Sequence, residues 1–346
     1  MTESEPTRGY PRLNPAFVPV VTEEAVHFRA GPWSGPIYTL ESDGGTEQLI
    51  ELLGLLDGTQ SIAAIADALD EPQTDLEEVV EQLRQNGIVV ETTGTETTKR
   101  SGDVAGYLRL ADHLPAGSTT QLEESTVTVI VDGELGSMTV DQLDRLGVEE
   151  ITTLPVEGTD TTAVTDAALE RTIATADFAV VTGTRPRPSL LERINQETQR
   201  HETPWIAGQV LGYDGLIGPT VIPGESPCYR CFSTRVAANV RDPESYPAFE
   251  RRAESVDRSP GPGLAAFSAI IAGHLAIETM TWVCAGVANT VGRVLRYDFH
   301  DLSVEASDVL RLPRCPDCGQ TELPDTPRHV PLAQLLDDLN EGMPDA

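Results

Sequence analysis

The chain has 346 residues, 39% of them hydrophobic, and its 55 acidic against 24 basic residues give a formal net charge of −31. That length is sufficient for two or three domains with ordinary cores, while so acidic a surface repels nucleic acid and anionic membranes. Because the charge is spread along the chain, we interpret it as a halophilic adaptation, and because no signal-peptide pattern opens the sequence, we expect a cytoplasmic protein.

Residues 1–24 contain four prolines and no sustained hydrophobic period, which predicts a flexible, extended or loosely docked N-terminus. The first predicted domain covers residues 25–92. Two β-prone runs at 26–29 and 37–40 predict a hairpin. Helical patterns follow at 46–56 and 61–69, and a third helix begins at Thr74, where Thr74 and Glu77 have the spacing of a capping box. A short β segment at 88–90 closes the domain.

This order of elements is typical of winged-helix modules, many of which bind DNA. Here only Arg29 and Arg84 are basic between residues 26 and 91, so a phosphate-binding surface is hard to build. We therefore predict that an extended peptide adds to the edge of the hairpin and lies along the third helix. A packing domain without a ligand is the alternative. The predicted peptide-binding residues are Ile37, Tyr38, Thr39, Leu40, Glu77, Val80, Glu81 and Arg84.

Residues 93–125 are rich in Thr, Gly, Ser and Glu and predict a linker with a short helix near 104–110. Residues 126–325 then alternate strands and helices, which predicts a doubly wound, Rossmann-like α/β domain. Its predicted strands are 126–131, 151–154, 178–183 and 204–210, and its predicted helices are 138–146, 163–175 and 190–200.

The loop after the first of these strands carries half of a nucleotide-binding fingerprint. Gly133 and Gly136 match it, but carboxylates at Asp132 and Glu134 stand beside the place where phosphate would lie. We interpret the segment as a vestigial nucleotide loop and predict neither ATP binding nor a catalytic residue.

An apolar stretch at 264–287 predicts a central core helix rather than a membrane span. On it, His274 and Glu278 are one turn apart, where they could form a satisfied buried pair, an interface contact or an acid–base pair. The preceding segment, 233–260, reads as mobile, and its arginines, Arg235 among them, could contact an acidic partner or simply be solvated.

Two Cys-x-x-Cys turns predict a metal site. Each turn directs two thiolates at one ion, and two such turns supply the four sulfurs of tetrahedral structural zinc. Redox dithiols and unrelated buried cysteines are the alternatives. The predicted ligands are Cys228, Cys231, Cys315 and Cys318, whereas Cys284 is read as a small core residue.

Several of these motifs together resemble the ubiquitin-activating-enzyme-like ThiF/MoeB superfamily. They are the strand-loop-helix at 126–146, the stretch 218–224 leading into Cys228-Tyr-Arg-Cys231, and the late stretch 312–319. More closely, the chain resembles the ThiF-like partner proteins of YcaO cyclodehydratases in the biosynthesis of thiazole/oxazole-modified peptides, a class that includes bacteriocins. Members of that branch carry a winged-helix RiPP recognition element in front, which residues 25–92 resemble.

The resemblance implies that the front module holds the leader of a ribosomal precursor peptide while a separate YcaO enzyme uses ATP to form azolines. The chain would then be an accessory subunit, a homodimer in our expectation, with residues 326–346 as a C-terminal tail. Active relatives bind ATP through a glycine loop, an aspartate, arginine and lysine, and these positions are largely unmatched because Lys99, in the linker, is the single lysine. An adenylating enzyme that acts on a carrier-protein C-terminus is the alternative function.

Overall fold

A computed structural model describes residues 10–33, 35, 37–41, 46–92, 104, 107–108, 120–156, 158, 164–256 and 264–319. Structural statements below concern these residues. The predicted C-terminal tail, 326–346, lies outside them.

The first part of the chain combines two small antiparallel sheets with three helices. Strand β1 pairs with β5, and β3 lies between β2 and β4 in a three-stranded sheet. The strands are β1 (Tyr10–Leu13), β2 (Val18–Val21), β3 (Ala25–Arg29), β4 (Ile37–Glu41) and β5 (Val89–Thr92). The helices are α1 (Thr46–Leu55), α2 (Ile62–Leu69) and α3 (Gln73–Gln85).

One apolar core unites these elements. Val26 and Phe28 on β3 pack with Leu52, Ile65 and Val80 from the three helices. Buried residues recur at three- and four-residue spacings within a helix, as Leu76, Val80 and Leu83 do on α3, so that the helix presents one apolar face to the core. The predicted hairpin and all three predicted helices are confirmed.

Two predictions for this region are wrong in detail. Residues 10–13 and 18–21 are strands within the sheets, whereas a loosely docked N-terminus was expected up to residue 24. The partner of β1, β5, lies at the far end of this module, so short-range periodicity could not indicate that pairing. Strand β2 instead forms a tight hairpin with the next strand, β3, in which Val21 pairs with Val26. The capping box is also absent: α3 begins one residue before Thr74, and its N-cap is Pro72, which has no side-chain hydrogen bond.

A seven-stranded sheet forms the second part, with the order β12-β11-β10-β9-β8-β6-β7. Strands β7, β6, β8 and β9 are parallel and the remaining three are antiparallel. The strands are β6 (Thr126–Val131), β7 (Glu150–Pro155), β8 (Phe178–Gly183), β9 (Trp205–Leu211), β10 (Asp214–Ile217), β11 (Arg293–Asp298) and β12 (Ser303–Asp308). The helices are α4 (Thr120–Glu124), α5 (Gly133–Leu146), α6 (Asp166–Ala174), α7 (Pro188–His201), α8 (Tyr229–Asn239), α9 (Tyr246–Glu254) and α10 (Ala265–Ala285).

Helices cover both faces of the central parallel strands, which explains why β8 is buried along its whole length, whereas β7 at the sheet edge is partly exposed. On one face, Leu135 of α5 and Leu275 of α10 pack against Val129 and Phe178. On the other, Ile173 of α6 and Ile194 of α7 join a second core. The predicted doubly wound α/β architecture is confirmed.

Three predicted segments differ from the structure. Val104, Leu108 and Leu122 belong to the first of these cores, so the expected linker contributes three buried core residues, although Tyr107 beside them is exposed. The helix expected from residue 138 begins at Gly133. The segment 233–260, expected to be mobile, contains α8 and α9 in its described part.

Within the described residues, α10 is the one helix with a length and hydropathy that would permit it to cross a membrane. Of the residues in its most apolar 18-residue stretch, 56% are buried within the fold. Burial against the sheet explains its composition, as expected for the central core helix.

Candidate functional sites

Strand β4 forms an open edge of the three-stranded sheet. Among the described residues it pairs with β3 alone, through the register that sets Phe28 opposite Tyr38. Tyr38 and Leu40 are half-buried toward the core, whereas Ile37 is 53% exposed on the outer face. An edge strand of this kind can accept a further extended segment through main-chain hydrogen bonds.

A cavity of about 120 Å³ opens between β4 and α3. Its floor is apolar and its rim carries amide side chains. It is lined by Phe28, Tyr38, Thr39, Leu40, Val79, Gln82, Leu83, Asn86 and Ile88. We call this space the β4–α3 groove; it is sized for one apolar side chain.

The structure brings Tyr38, Thr39 and Leu40 to this groove, but not the four residues that were predicted on α3. Val80 is fully buried in the core, so its side chain is not available to a ligand. Glu81 and Arg84 pair with each other at 2.7 Å on another face, and Arg84 also contacts Glu91.

The fourth predicted α3 residue, Glu77, accepts a hydrogen bond from Gln73 and does not line the groove. The residues that were missed are Val79, Gln82, Leu83 and Asn86. These residues are three, one and three positions apart, so they lie on one face of the helix, as the sequence itself shows. Which face of α3 is turned toward β4, however, depends on tertiary packing.

Four cysteines form a compact cluster in the α/β part of the chain. The Sγ atoms of Cys228, Cys231, Cys315 and Cys318 all lie within 4.8 Å of one another. The Sγ of Cys228 is 3.9 Å from that of Cys231 and 3.5 Å from that of Cys315. Cys231 and Cys318 are likewise separated by 3.5 Å.

This donor set fits zinc. A tetrahedral ion with bonds of about 2.3 Å requires sulfur atoms roughly 3.8 Å apart, close to the separations seen here. Burial raises the pKa of the Cys228 thiol, so a thiolate at this position requires a cation for stabilisation. The four cysteines would hold the ion, and with four protein ligands a tetrahedral ion has no open coordination position, which is typical of structural zinc.

A buried asparagine on α7 links the two cysteine turns. Asn195 accepts a hydrogen bond from the backbone N–H of Tyr229 at 2.9 Å and donates to the Oδ2 of Asp317, also at 2.9 Å. Arg230 donates to the same Asp317 oxygen at 3.1 Å. The sequence analysis missed this residue, because a lone Asn in an amphipathic helix gives no signal of distant partners.

The vestigial nucleotide loop lies where the strand order of the parallel sheet reverses, between β6 and β8. Crevices at such switch points are the usual ligand sites of open α/β sheets. Here Asp132, which follows β6, accepts hydrogen bonds from Nε and Nη2 of Arg187 at 3.0 and 3.1 Å. Both side chains are almost completely buried. Arg187 also donates to the carbonyl of Gly158 at 2.8 Å.

Gly133 and Gly136 allow a backbone conformation and a close contact that a residue with a side chain would disturb. Gly133 begins α5 with φ at +64°, a conformation that favours glycine. A Cβ on Gly136 would lie 2.7 Å from the Cα of Val131 and 2.8 Å from the Oγ1 of Thr182. Gly136 thus permits close packing of helix on strand, while the buried carboxylate of Asp132 places negative charge where a phosphate would need positive charge. Residues 132–137 of the loop contribute no basic side chain that could contact the phosphates of a nucleotide.

Of the arrangements considered for His274 and Glu278, the structure shows the pair whose polar atoms are hydrogen-bonded within the fold. The carboxylate of Glu278 accepts from the N–H and the hydroxyl of Thr290 at 2.9 and 2.6 Å. Nε2 of His274 is 3.7 Å from it, and Nδ1 of the same ring lies 2.7 Å from the hydroxyl of Tyr297. Burial by itself raises the pKa of Glu278, but hydrogen bonds from His274, Thr290 and Asn289 outweigh it and lower the pKa overall.

Comparison with known proteins agrees with this architecture. Residues 157–319, slightly less than half of the chain, match the ThiF family. The resemblance to the ThiF family, which was based partly on the stretch 218–224 and the two cysteine turns, is thereby confirmed. No curated protein sequence matches the chain.

Three solved structures illustrate the likeness. A heterocyclase in complex with substrate and cofactor superposes with a TM-score of 0.68 at 18% identity, over 90% of this chain and 40% of that one. The heterocyclase TruD gives 0.67 at 19% identity, over 95% and 47%. E. coli MccB with AMPCPP and MccA gives 0.61 at 15% identity, over 89% and 99%. At these identities the likeness shows the fold, and the chain spans less than half the length of either heterocyclase.

Proposed function

We propose that this chain is a scaffold that binds the leader of a ribosomal precursor peptide and presents the precursor to a separate YcaO cyclodehydratase for azoline formation. The observation that best supports this proposal is the β4–α3 groove, an open strand edge beside an apolar cavity, in the same chain as a ThiF-like α/β domain.

The geometry supports a peptide rather than a nucleic acid. An extended segment beside β4 would gain main-chain hydrogen bonds, and one apolar side chain would enter the cavity between Leu40 and Val79. Asp75 and Glu78 extend the groove-lining stripe of α3 toward its N-terminus, and both are exposed. Their charges oppose a phosphate backbone but not a peptide segment that is neutral or basic where it passes them.

The switch point supports a role other than adenylation. Asp132 and Arg187 occupy it as a buried ion pair, and the ATP-contacting residues of active superfamily members are largely unmatched. The chemistry would therefore belong to the partner enzyme, and this chain would contribute binding and positioning. Structural zinc would hold the cysteine turns of the α/β domain together.

Leader binding can be tested with fluorescence anisotropy at high KCl. The probe is a labelled leader from a precursor encoded beside a YcaO enzyme in the same organism. A bulky side chain at the groove should block it, so Gln82→Trp should weaken binding by at least about tenfold, as expected when an anchoring contact is lost.

The control is Gln85→Trp, the same change on an exposed position of the same helix outside the groove. It should bind the leader as the wild type does. Equal effects of the two variants would place the binding surface elsewhere, and ATP–pyrophosphate exchange by the purified chain would favour the adenylating alternative.

A further inference from the structure

A second, larger cavity lies in the α/β part of the chain. Its volume is about 710 Å³, within the range of ligand-sized sites. Strands β9–β12 form one side of it, and helices α8 and α9 form the other. We call it the α8–α9 cavity.

The wall of this cavity leaves apolar side chains open to solvent. It includes Tyr246 and Phe249 of α9, Val236 of α8, Val294 of β11 and Leu310 just beyond β12. Phe249 is 52% exposed and Leu310 is 64% exposed. Apolar side chains that stay exposed around a cavity of this size mark a surface on which another group docks.

Most charged groups of the wall are paired with one another or with a neighbour. Arg296 lies 2.7 Å from Asp214 and 3.5 Å from Glu305. Asp308 is paired with Arg293 at 2.8 Å. These carboxylates are therefore compensated by adjacent guanidinium groups within the fold.

The other charges on the wall are balanced as well. Arg187 is paired with Asp132. Among the described residues that line the cavity, this leaves one guanidinium, that of Arg235, and one carboxylate, that of Glu250. Because neither sign is in excess, the wall does not select a strongly charged ligand, and its apolar surface decides what it binds.

The chain itself continues beside this cavity. The described residues end at Gly319, next to Cys318, whose Sγ lies 3.5 Å from that of Cys231 in the first turn of α8. Val236, which lines the cavity, is five residues further along the same helix, about 8 Å away at the α-helical rise. Residues 320–346 therefore follow from a point close to the cavity.

The sequence of this C-terminal part has the pattern of a docking helix. Four leucines occupy positions i, i+3, i+4 and i+7, the spacing by which an amphipathic helix lays its apolar face into a hydrophobic groove. They are Leu332, Leu335, Leu336 and Leu339. Gln334, Asp337 and Asp338 fall on the other face of such a helix, where they would stay in water.

The connection is long enough to bring this segment to the cavity. Residues 320–331 can span at most about 40 Å when extended, several times the distance from the cysteine cluster to Val236. A segment tethered in this way has an effective concentration on the order of millimolar. The tether therefore favours the chain's own leucines over an unlinked group of similar apolarity.

We propose that residues 331–340 dock as an amphipathic helix on the α8–α9 cavity of their own chain, with the four leucines packed against Tyr246, Phe249 and Leu310. Docking removes the exposed apolar surface of the cavity from water, and this burial drives it. The acidic face of the helix stays in solvent. The inference concerns the α/β part of the chain, so it and leader binding at the β4–α3 groove can each fail without the other.

Photo-crosslinking shows which group occupies the cavity. Phe249→p-benzoyl-phenylalanine keeps an aromatic ring at the rim and reacts with whatever lies against it. Unlabelled and ¹⁵N-labelled chains are mixed, irradiated at high KCl and digested with trypsin. The expected product joins the tryptic peptide 329–346 to the peptide that contains position 249, and both halves carry the same label because they come from one chain.

Val304→p-benzoyl-phenylalanine is the matched control. Val304 is 53% exposed on β12 and does not line the cavity. Its variant carries the same reactive group on another exposed apolar position of the α/β part, and it should not give the product with peptide 329–346.

Two tail variants, each combined with the reactive group at position 249, test the apolar face. Leu336→Asp places a charge among the leucines and should weaken docking about tenfold or more, the effect of losing a buried leucine, so most of the crosslink should disappear. Gln334→Asp places the same charge on the opposite face and should crosslink as the unchanged tail does.

Three results would overturn the inference. A product that joins a labelled to an unlabelled chain would show that a second copy occupies the cavity. No product between position 249 and peptide 329–346 would show that the tail lies elsewhere. Equal crosslinking by Leu336→Asp and Gln334→Asp would show that the leucines do not make the contact. A circular dichroism spectrum of each protein before irradiation confirms that it is folded.

Discussion

Asn195 and Asp317 are 122 positions apart in sequence, yet the Nδ2 of Asn195 donates to the Oδ2 of Asp317 at 2.9 Å. Because the same asparagine accepts from the N–H of Tyr229, one side chain on α7 holds both cysteine turns. The turns are therefore positioned by the protein as well as by any ion they hold.

The contacts of Asn195 predict a measurable loss of stability in Asn195→Ala. Two buried hydrogen bonds disappear and the N–H of Tyr229 loses its acceptor, which should cost about 1–3 kcal/mol in the free energy of unfolding. Urea denaturation measures it. Asn239→Ala, on an exposed position at the end of α8, should change stability by less than about 0.5 kcal/mol.

Loss of one cysteine ligand should unfold the α/β domain rather than remove a chemical step. Cys315→Ser should yield protein without bound zinc and with a broadened or absent thermal transition, because the metal's binding energy contributes to folding. Atomic absorption gives the zinc content. Cys284→Ala, which changes a buried cysteine outside the cluster, should keep the zinc content of the wild type. A folded, metal-free Cys315→Ser protein would falsify the structural assignment.

The buried pair at the switch point should be sensitive to removal of either partner. Asp132→Asn or Arg187→Met each leaves an uncompensated polar group in the interior, and each should destabilise the chain by about 3–5 kcal/mol. The double variant should lose less than the sum, because neither charge is then stranded. The exposed pair of Asp141 and Arg145, 3.0 Å apart on α5, is the control and should contribute less than about 1 kcal/mol. All variants are denatured in the same buffer. If the two side chains do not interact, the loss of stability in the double variant will equal the sum of the losses in the two single variants.

Glycine at position 136 should be required for packing. Gly136→Ala places a methyl group against the backbone of Val131 and should destabilise the chain by about 1–3 kcal/mol, as overpacking does. Gly54→Ala, in the exposed part of α1 where a Cβ meets nothing within 4 Å, should instead stabilise by roughly 0.5–1 kcal/mol through helix propensity. Thermal denaturation should therefore shift in opposite directions for the two variants.

The lowered pKa of Glu278 predicts a pH dependence of stability. Its hydrogen bonds stabilise the ionised carboxylate, and that contribution is fully present above the ordinary value of 4.5. It is lost as pH falls through the lower folded-state pKa. Glu278→Gln should therefore be less stable than the wild type at neutral pH, and the difference should narrow below about pH 4.5. A difference that is independent of pH from neutrality to pH 3 would show that the carboxylate is not ionised in the fold.

Much of the fold could be predicted from local pattern. Apolar runs such as residues 126–131 and 178–183 indicated buried parallel strands, and the helical stripes around Leu52 and Leu83 indicated the helices of the first module. These signals depend on neighbours within one or two turns, which the chain itself displays. The winged-helix assignment, peptide binding, dimerisation and the halophilic interpretation remain predictions.

By itself, the sequence determined which four cysteines form the candidate metal site, because two thiolates spaced to reach one ion are a local property of each Cys-x-x-Cys turn. It also predicted that the loop after β6 is a poor phosphate site, since Asp132 and Glu134 stand in it. Only the tertiary structure decided which face of α3 meets β4, that Asn195 joins the two cysteine turns, and that Arg187 pairs with Asp132. Each of these depends on the packing of elements far apart in the chain, and hydrophobic periodicity carries no information about which polar side chains that packing brings together.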